Sequence, residues 1–123
     1  MSDLLALVVE DDYDIATIFA QALKAGGFKA QIAQSGEQAL AYLADTAPDI
    51  VVLDMHLPEV SGLDLLRHLR AEVRFAHTRV LVATADPRIA DAVEHSADLV
   101  LIKPITFSQM RDLAKRLRSA PAR

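Results

Sequence analysis

Apolar residues fall in five short runs, at positions 4–9, 28–33, 49–53, 79–83 and 98–102, and between the runs the residues read as helix. Runs of five or six residues are strand-sized, so the chain predicts a strict alternation of strand and helix. Leu7-Val8-Val9, Ile50-Val51-Val52-Leu53 and Leu99-Val100-Leu101-Ile102 are continuous, the pattern of central parallel strands covered on both faces. Phe28-Lys29-Ala30-Gln31-Ile32 alternates instead, which predicts an edge strand with one wetter face.

Helices are predicted near 14–25, 36–44, 62–71, 87–96 and 106–118, and local signals agree with the pattern. Ser35-x-x-Gln38, Ser61-x-x-Asp64 and Thr106-x-x-Gln109 each have the form of a capping box or its acidic relative. Asp86-Pro87 supplies an N-cap with proline at the first helical position. Gly26-Gly27 stands where a left-handed cap would close the first helix, a conformation glycine adopts without a Cβ penalty. The result is (βα)5, an open parallel sheet between two layers of helices.

Composition narrows the partners. With 123 residues, 52% of them hydrophobic, 24% charged and only 5% aromatic, the chain has the material for one aliphatic core and no stacking platform for bases. Thirteen basic against 17 acidic side chains give a net charge of −4 with no Lys/Arg block, which argues against direct nucleic-acid binding. The absence of cysteine removes disulfides and thiolate chemistry and suits a reducing, cytoplasmic setting. No apolar run approaches the ~20 residues of a membrane span. The start, Met1-Ser2-Asp3, is acidic where a secretory signal is basic. Residues 1–118 read as one domain, and Ser119-Ala120-Pro121-Ala122-Arg123 as a tail or the start of a linker.

The parallel topology gives the polar residues their meaning, because ligands of open α/β sheets bind beyond the carboxyl ends of the strands. Just past the runs stand Glu10-Asp11-Asp12, then Asp54, Thr84 and Lys103-Pro104. Carboxylates gathered at one rim repel unless a cation intervenes, and Mg²⁺, a hard ion that takes one or two carboxylates together with a phosphate oxygen, is the natural one. Lys103 is placed to pair with Asp54 at rest and with a phosphoryl oxygen when the site is loaded, and Thr84 to donate to another. These are the parts for phosphoryl transfer to a carboxylate.

Four segments in order, Leu7-Val8-Val9-Glu10-Asp11-Asp12, Asp54-Met55-His56-Leu57-Pro58-Glu59-Val60-Ser61-Gly62, Val82-Ala83-Thr84-Ala85 and Lys103-Pro104, carry a specific resemblance. From Leu4 to about Leu117 the chain resembles the receiver domain of two-component response regulators. The resemblance implies a flavodoxin-like, doubly wound sheet of strand order 2-1-3-4-5. It implies that Asp54 is the phosphoacceptor, served by a histidine kinase or histidine phosphotransfer protein in a two-component system or phosphorelay. Glu10 and Asp11 would serve Mg²⁺ together with Asp54 and the backbone carbonyl of His56, with Asp11 the more direct ligand of the pair. Thr84 would follow the phosphoryl group and Lys103 pair with its charge, while the bond before Pro104 is usually cis in the family. Such a domain catalyses only its own phosphorylation and dephosphorylation, and otherwise acts through an output protein or domain, or through a homodimer.

Other readings meet obstacles in the residues themselves. A haloacid-dehalogenase-type phosphatase needs a second Asp two residues past the nucleophile, where this chain has His56, and a flavin or mononucleotide site lacks its glycine-rich loop. A receiver-fold module that signals by protein contact alone is the alternative. Asp12 is divided between capping the first helix and touching the metal. The His56 side chain reads as exposed and acts with Asp86, two past Thr84, on the access of water; His68, His77 and His95 read as surface residues. Many receivers carry an aromatic three residues before the lysine, where this chain has Val100, and the segment between Thr84 and Lys103 is about a turn short, which points to an atypical output face.

Overall fold

A computed structural model describes residues 3–57 and 61–119, so Pro58, Glu59 and Val60 of the resemblance lie outside the described residues. Five strands, β1 (Leu5–Val9), β2 (Lys29–Ala33), β3 (Ile50–Asp54), β4 (Arg79–Thr84) and β5 (Leu99–Ile102), form one parallel sheet in the order β2-β1-β3-β4-β5. Five helices join or follow them: α1 (Tyr13–Ala25), α2 (Gly36–Asp45), α3 (Gly62–Ala71), α4 (Pro87–Val93) and α5 (Phe107–Ser119), with a short 3-10 turn at Val73–Phe75.

The pleat divides the core in two. Leu7, Val9, Val51, Leu53, Val80 and Val82 face α2, α3 and α4, and Phe75 fills the space beneath the 3-10 turn. Ala6, Val8, Ile50, Val52 and Leu81 face α1 and α5. Both faces of β1, β3 and β4 are therefore dry, as their uninterrupted runs require. β2 is the edge strand that alternation predicts, with Lys29 and Gln31 in water.

At the fifth run the two expectations part. Its continuous apolar pattern reads as a central strand, but β5 is the other edge, as the order 2-1-3-4-5 implies, with Leu99 37% and Ile102 50% exposed. Its continuous apolar run reflects a surface left open rather than a second covered face. α4 also stops short of the predicted residue 96: Ser96 and Ala97 both donate to the Val93 carbonyl, at 2.9 and 3.0 Å, and the helix tightens into a turn.

The predicted punctuation is in place. The side chains of Ser35, Ser61 and Asp86 accept from the amides of Gln38, Asp64 and Arg88, at 3.1, 3.1 and 2.9 Å. Thr106 and Gln109 exchange both bonds of a capping box, at 3.1 and 2.8 Å, so Thr106 is the cap and Phe107 begins the helix. At the end of α1, Gly27 has φ 106°, its amide donates to Lys24 and the Phe28 amide to Leu23, which is the Schellman closure. Gly26 has an ordinary φ and serves differently: a Cβ there would lie 2.5 Å from that of Ala114, so its bareness lets α1 and α5 touch. α5 runs through Ser119, and residues 120–123 lie outside the described residues.

Candidate functional site

Parallel strands end together, and here their carboxyl ends bring four sequence-distant segments to one rim. The ladder itself holds each residue: the Glu10 amide donates to Ala33 at 3.0 Å, the Lys103 amide to Thr84 at 2.9 Å, and Asp54 stands opposite Ala83. Glu10, Asp54 and Thr84 are 2%, 4% and 0% exposed, whereas Asp11 is exposed at the mouth. Polar side chains this deep need partners.

Lys103 is the common partner. Its Nζ lies 2.9 Å from Glu10 Oε1 and 3.3 Å from Asp54 Oδ1, so one ammonium bridges two buried carboxylates. Backbone donors add to this: the other Glu10 oxygen, Oε2, accepts the Asp12 amide at 3.3 Å, and Asp54 Oδ1, already facing Lys103, also accepts the His56 amide at 3.2 Å. Thr84 Oγ1 accepts the Asp86 amide at 3.1 Å. Burial pushes the Glu10 carboxyl up to about 7, against the opposing hydrogen bond from Lys103 and with the Asp54 charge adding to the rise. Burial acts on the Lys103 ammonium in the lowering direction, but the Glu10 hydrogen bond and the two carboxylate charges outweigh it and raise the group above its ordinary value.

Glu10, Asp11 and Asp54 each offer a carboxylate oxygen, and these oxygens lie within 4.8 Å of one another. Clustered, hard and anionic oxygen donors suit Mg²⁺. Asp12 stands outside that group. Its side chain accepts from the Ile15 amide at 3.1 Å and caps α1, which separates the two roles the sequence leaves open. His56 is exposed, Asp86 is held by Arg88 at 3.2 Å, and Lys103-Pro104 is a cis bond. His68 and Glu72 approach at 3.7 Å on the flank of α3, away from the rim.

Two features of the site escape a reading of motifs. A Cβ on Gly62 would lie 2.6 Å from the Asp54 carbonyl oxygen and 2.7 Å from Met55 Cα, so glycine lets α3 begin directly against the end of β3. A depression of about 340 Å³ beside Lys103 is lined by Ile15, Ile18, Phe19, Pro104 and Ile105. Its signal in the sequence is Ile18, apolar yet on the outer flank of α1 and 43% exposed.

A five-stranded parallel sheet of this order, with buried carboxylates, a hydroxyl and a lysine at one rim, defines a doubly wound α/β signalling domain of the kind the motifs suggest. The family model of the response regulator receiver domain matches residues 6–115, and the chain belongs to that family, the receivers of two-component signalling. It is 34% identical over 113 residues to the transcriptional regulatory protein PrrA of Mycobacterium leprae, covering 90% of this chain and 48% of PrrA. It is 33% identical over 116 residues to the DNA-binding response regulator MtrA of Mycobacterium tuberculosis, covering 92% of this chain and 48% of MtrA. The chain thus spans about half the length of these curated relatives. Among solved structures, a CheY-like receiver domain from Methylobacillus flagellatus superposes with a TM-score of 0.83 at 28% identity, covering 94% of this chain and 99% of that one. The chemotaxis response regulator CheY4 of Vibrio cholerae shares the fold, with a TM-score of 0.84 at 21% identity and coverage of 94% and 99%. No helix among the described residues is long and apolar enough to cross a membrane.

Proposed function

We propose that this receiver accepts a phosphoryl group on Asp54 from a phosphohistidine. The observation that carries the reading is the Lys103 bridge between Glu10 and Asp54, with Asp11 close by: a buried carboxylate nucleophile beside a fixed cation and spare oxygen donors. An Asp54 carboxylate oxygen attacks phosphorus. The O–P bond forms as the N–P bond breaks, and the imidazole leaves with that electron pair and is protonated. Lys103 shifts its ammonium from the carboxylate to a phosphoryl oxygen, and the Thr84 hydroxyl donates to another. Glu10, Asp11, Asp54 and the His56 carbonyl are the groups that would hold Mg²⁺, which when bound supplies charge neutralisation to the phosphoryl oxygens. Water later attacks the phosphorus, the acyl O–P bond breaks, inorganic phosphate leaves and the carboxylate is restored, with His56 and Asp86 flanking the approach of the water.

Two surfaces suit the partners this reading needs, a histidine kinase or phosphotransfer protein and an output protein or second copy. The apolar depression by Lys103 adjoins the reacting oxygen, where a phosphodonor protein has to dock. The open edge of β5 and the adjoining face of α5 form a groove of about 460 Å³ that includes Leu99, Ile102, Leu113 and Arg116, a surface for the output.

The test is intact mass after incubation with Mg²⁺ and acetyl phosphate or phosphoramidate. A labile phosphate adduct on the parent, absent from Asp54→Asn and lost with EDTA, is expected. An unmodified parent that still binds Mg²⁺ would overturn the reading in favour of a module that signals by contact alone.

A further inference from the structure

α4 has little of its own to hold it. It is seven residues long with Val93 its one buried side chain, and a helix so short takes its position from its attachments. At its amino end it hangs from the rim, through the Asp86 amide on Thr84 Oγ1 at 3.1 Å and the Asp86 carboxylate on the Arg88 amide at 2.9 Å. Past its carboxyl end the attachments converge on one side chain of α3. Arg70 donates from Nε to the Ser96 carbonyl at 2.7 Å, from Nη2 to Asp98 Oδ2 at 2.7 Å and from Nη1 to the Thr78 carbonyl at 3.4 Å. The same Asp98 oxygen accepts the Val80 amide at 2.7 Å, and the Asp98 amide donates to the Val80 carbonyl at 2.9 Å.

One guanidinium thus ties the α4–β5 turn to α3 and to the start of β4, at the opposite end of that strand from Thr84. The Arg70 and Asp98 side chains are only 22% and 20% exposed, where charge-assisted hydrogen bonds are little diluted by water. Val100 adds no competing device, since it packs with Ile89 and Ala97 against the aliphatic core and has no ring to relocate. We infer that Arg70 makes the carboxyl end of α4 a fixed pivot, so that rearrangement at the Thr84 rim tilts α4 about Val93–Ala97 instead of freeing the whole α4–β5 segment. The pivot is a property of the resting protein; its part in signalling rests on the phosphoacceptor reading. Lysine cannot replace it, because a single ammonium lacks the planar fork that reaches three acceptors.

Hydrogen exchange measured by mass spectrometry on the whole chain tests this. In Arg70→Met, peptides covering 87–99 should exchange about 10- to 100-fold faster, the effect of losing a charge-assisted hydrogen bond, while β1 and β3 keep the parent rates. Asp98→Asn should give a smaller increase, since its side-chain oxygen still accepts the Val80 amide. The double variant should exceed Arg70→Met by less than the effect of Asp98→Asn alone, as partners in one contact do. Unchanged exchange in 87–99, or an equal rise in every strand, would overturn the pivot. Arg70→Lys, which keeps charge and bulk, should still show the local increase should Arg70→Met fail to fold, and parental exchange in Arg70→Lys would overturn the inference. After treatment with Mg²⁺ and acetyl phosphate, the change caused by the adduct should stay within 85–92 in the parent and spread through 96–100 in Arg70→Lys; the same span in both would overturn the signalling role. Intact mass reports separately whether the adduct forms, so failure of the phosphoacceptor reading is visible in its own right while exchange of the untreated protein still decides the pivot.

Discussion

Glu10 shows how a single residue couples the site to the stability of the domain. Its carboxyl is 2% exposed and titrates at about 7 in the fold, above its ordinary 4.5, so between those values the native state binds a proton that the unfolded chain has released. The protein unfolded holds fewer protons there, and this group's stabilisation is full below about 4.5 and declines as pH rises through about 7. Urea unfolding of the metal-free protein in EDTA, followed across that window, should therefore show a loss with rising pH that Glu10→Gln reduces. Lys103→Met removes the hydrogen bond that opposes the rise, and should extend the decline to higher pH. A Glu10→Gln profile parallel to the parent's would show that burial leaves Glu10 unshifted. The depth of Glu10 is not legible from the acidic triplet. Glu10, Asp11 and Asp12 look alike in sequence, and only the end of β1 separates them into a buried bridge, an exposed mouth residue and a cap.

Elements carry the same lesson in their ends. Asp12 caps α1, so Asp12→Ala should cost about 1 kcal/mol in urea unfolding while leaving Mg²⁺ affinity within about threefold of the parent. Asp11→Asn should reverse the pattern, and a Mg²⁺ defect in Asp12→Ala equal to that of Asp11→Asn would return Asp12 to the metal. At the other end of α1, Gly27→Ala should cost about 1 kcal/mol or more because alanine resists a φ of 106°. The Arg118 guanidinium also lies 2.5 Å from where the new Cβ would stand. If the backbone sets the cost, adding Arg118→Ala recovers little of it, and full recovery would assign the cost to the side chain. These ends were readable because caps act through neighbours in sequence: Ser35, Ser61, Asp86 and Thr106 all stand where their spacing puts them. The end of α4 was not, since the Val93–Ala97 turn is held by Arg70 from a helix 26 residues away.

For the whole molecule, the telling strand is β5, whose apolar run alone reads as central while the order 2-1-3-4-5 sets it at an edge. Hydrophobicity of a strand records that its faces avoid water without saying what excludes the water, and a run such as Leu99–Ile102 reads as central whether the cover is its own chain or another. Among the described residues nothing covers the outer edge, which leaves backbone donors and acceptors beside Leu99 and Ile102, 37% and 50% exposed. A four-residue strand cannot by itself supply the ~800 Å² per partner of a stable interface, so any pairing along this edge must recruit the α5 groove and remain concentration-dependent. In a two-fold pair the same residues meet their copies, and a charge placed there opposes itself across the axis. If the adduct-bearing protein pairs along this edge, Ile102→Glu should therefore abolish that self-association in sedimentation velocity. Because Ile102 is half in water, the variant should retain the parent's unfolding midpoint and its yield of phosphate adduct. An adduct-bearing Ile102→Glu protein that associates as strongly as the parent would remove this edge from the interface and leave its apolar run without a function in pairing.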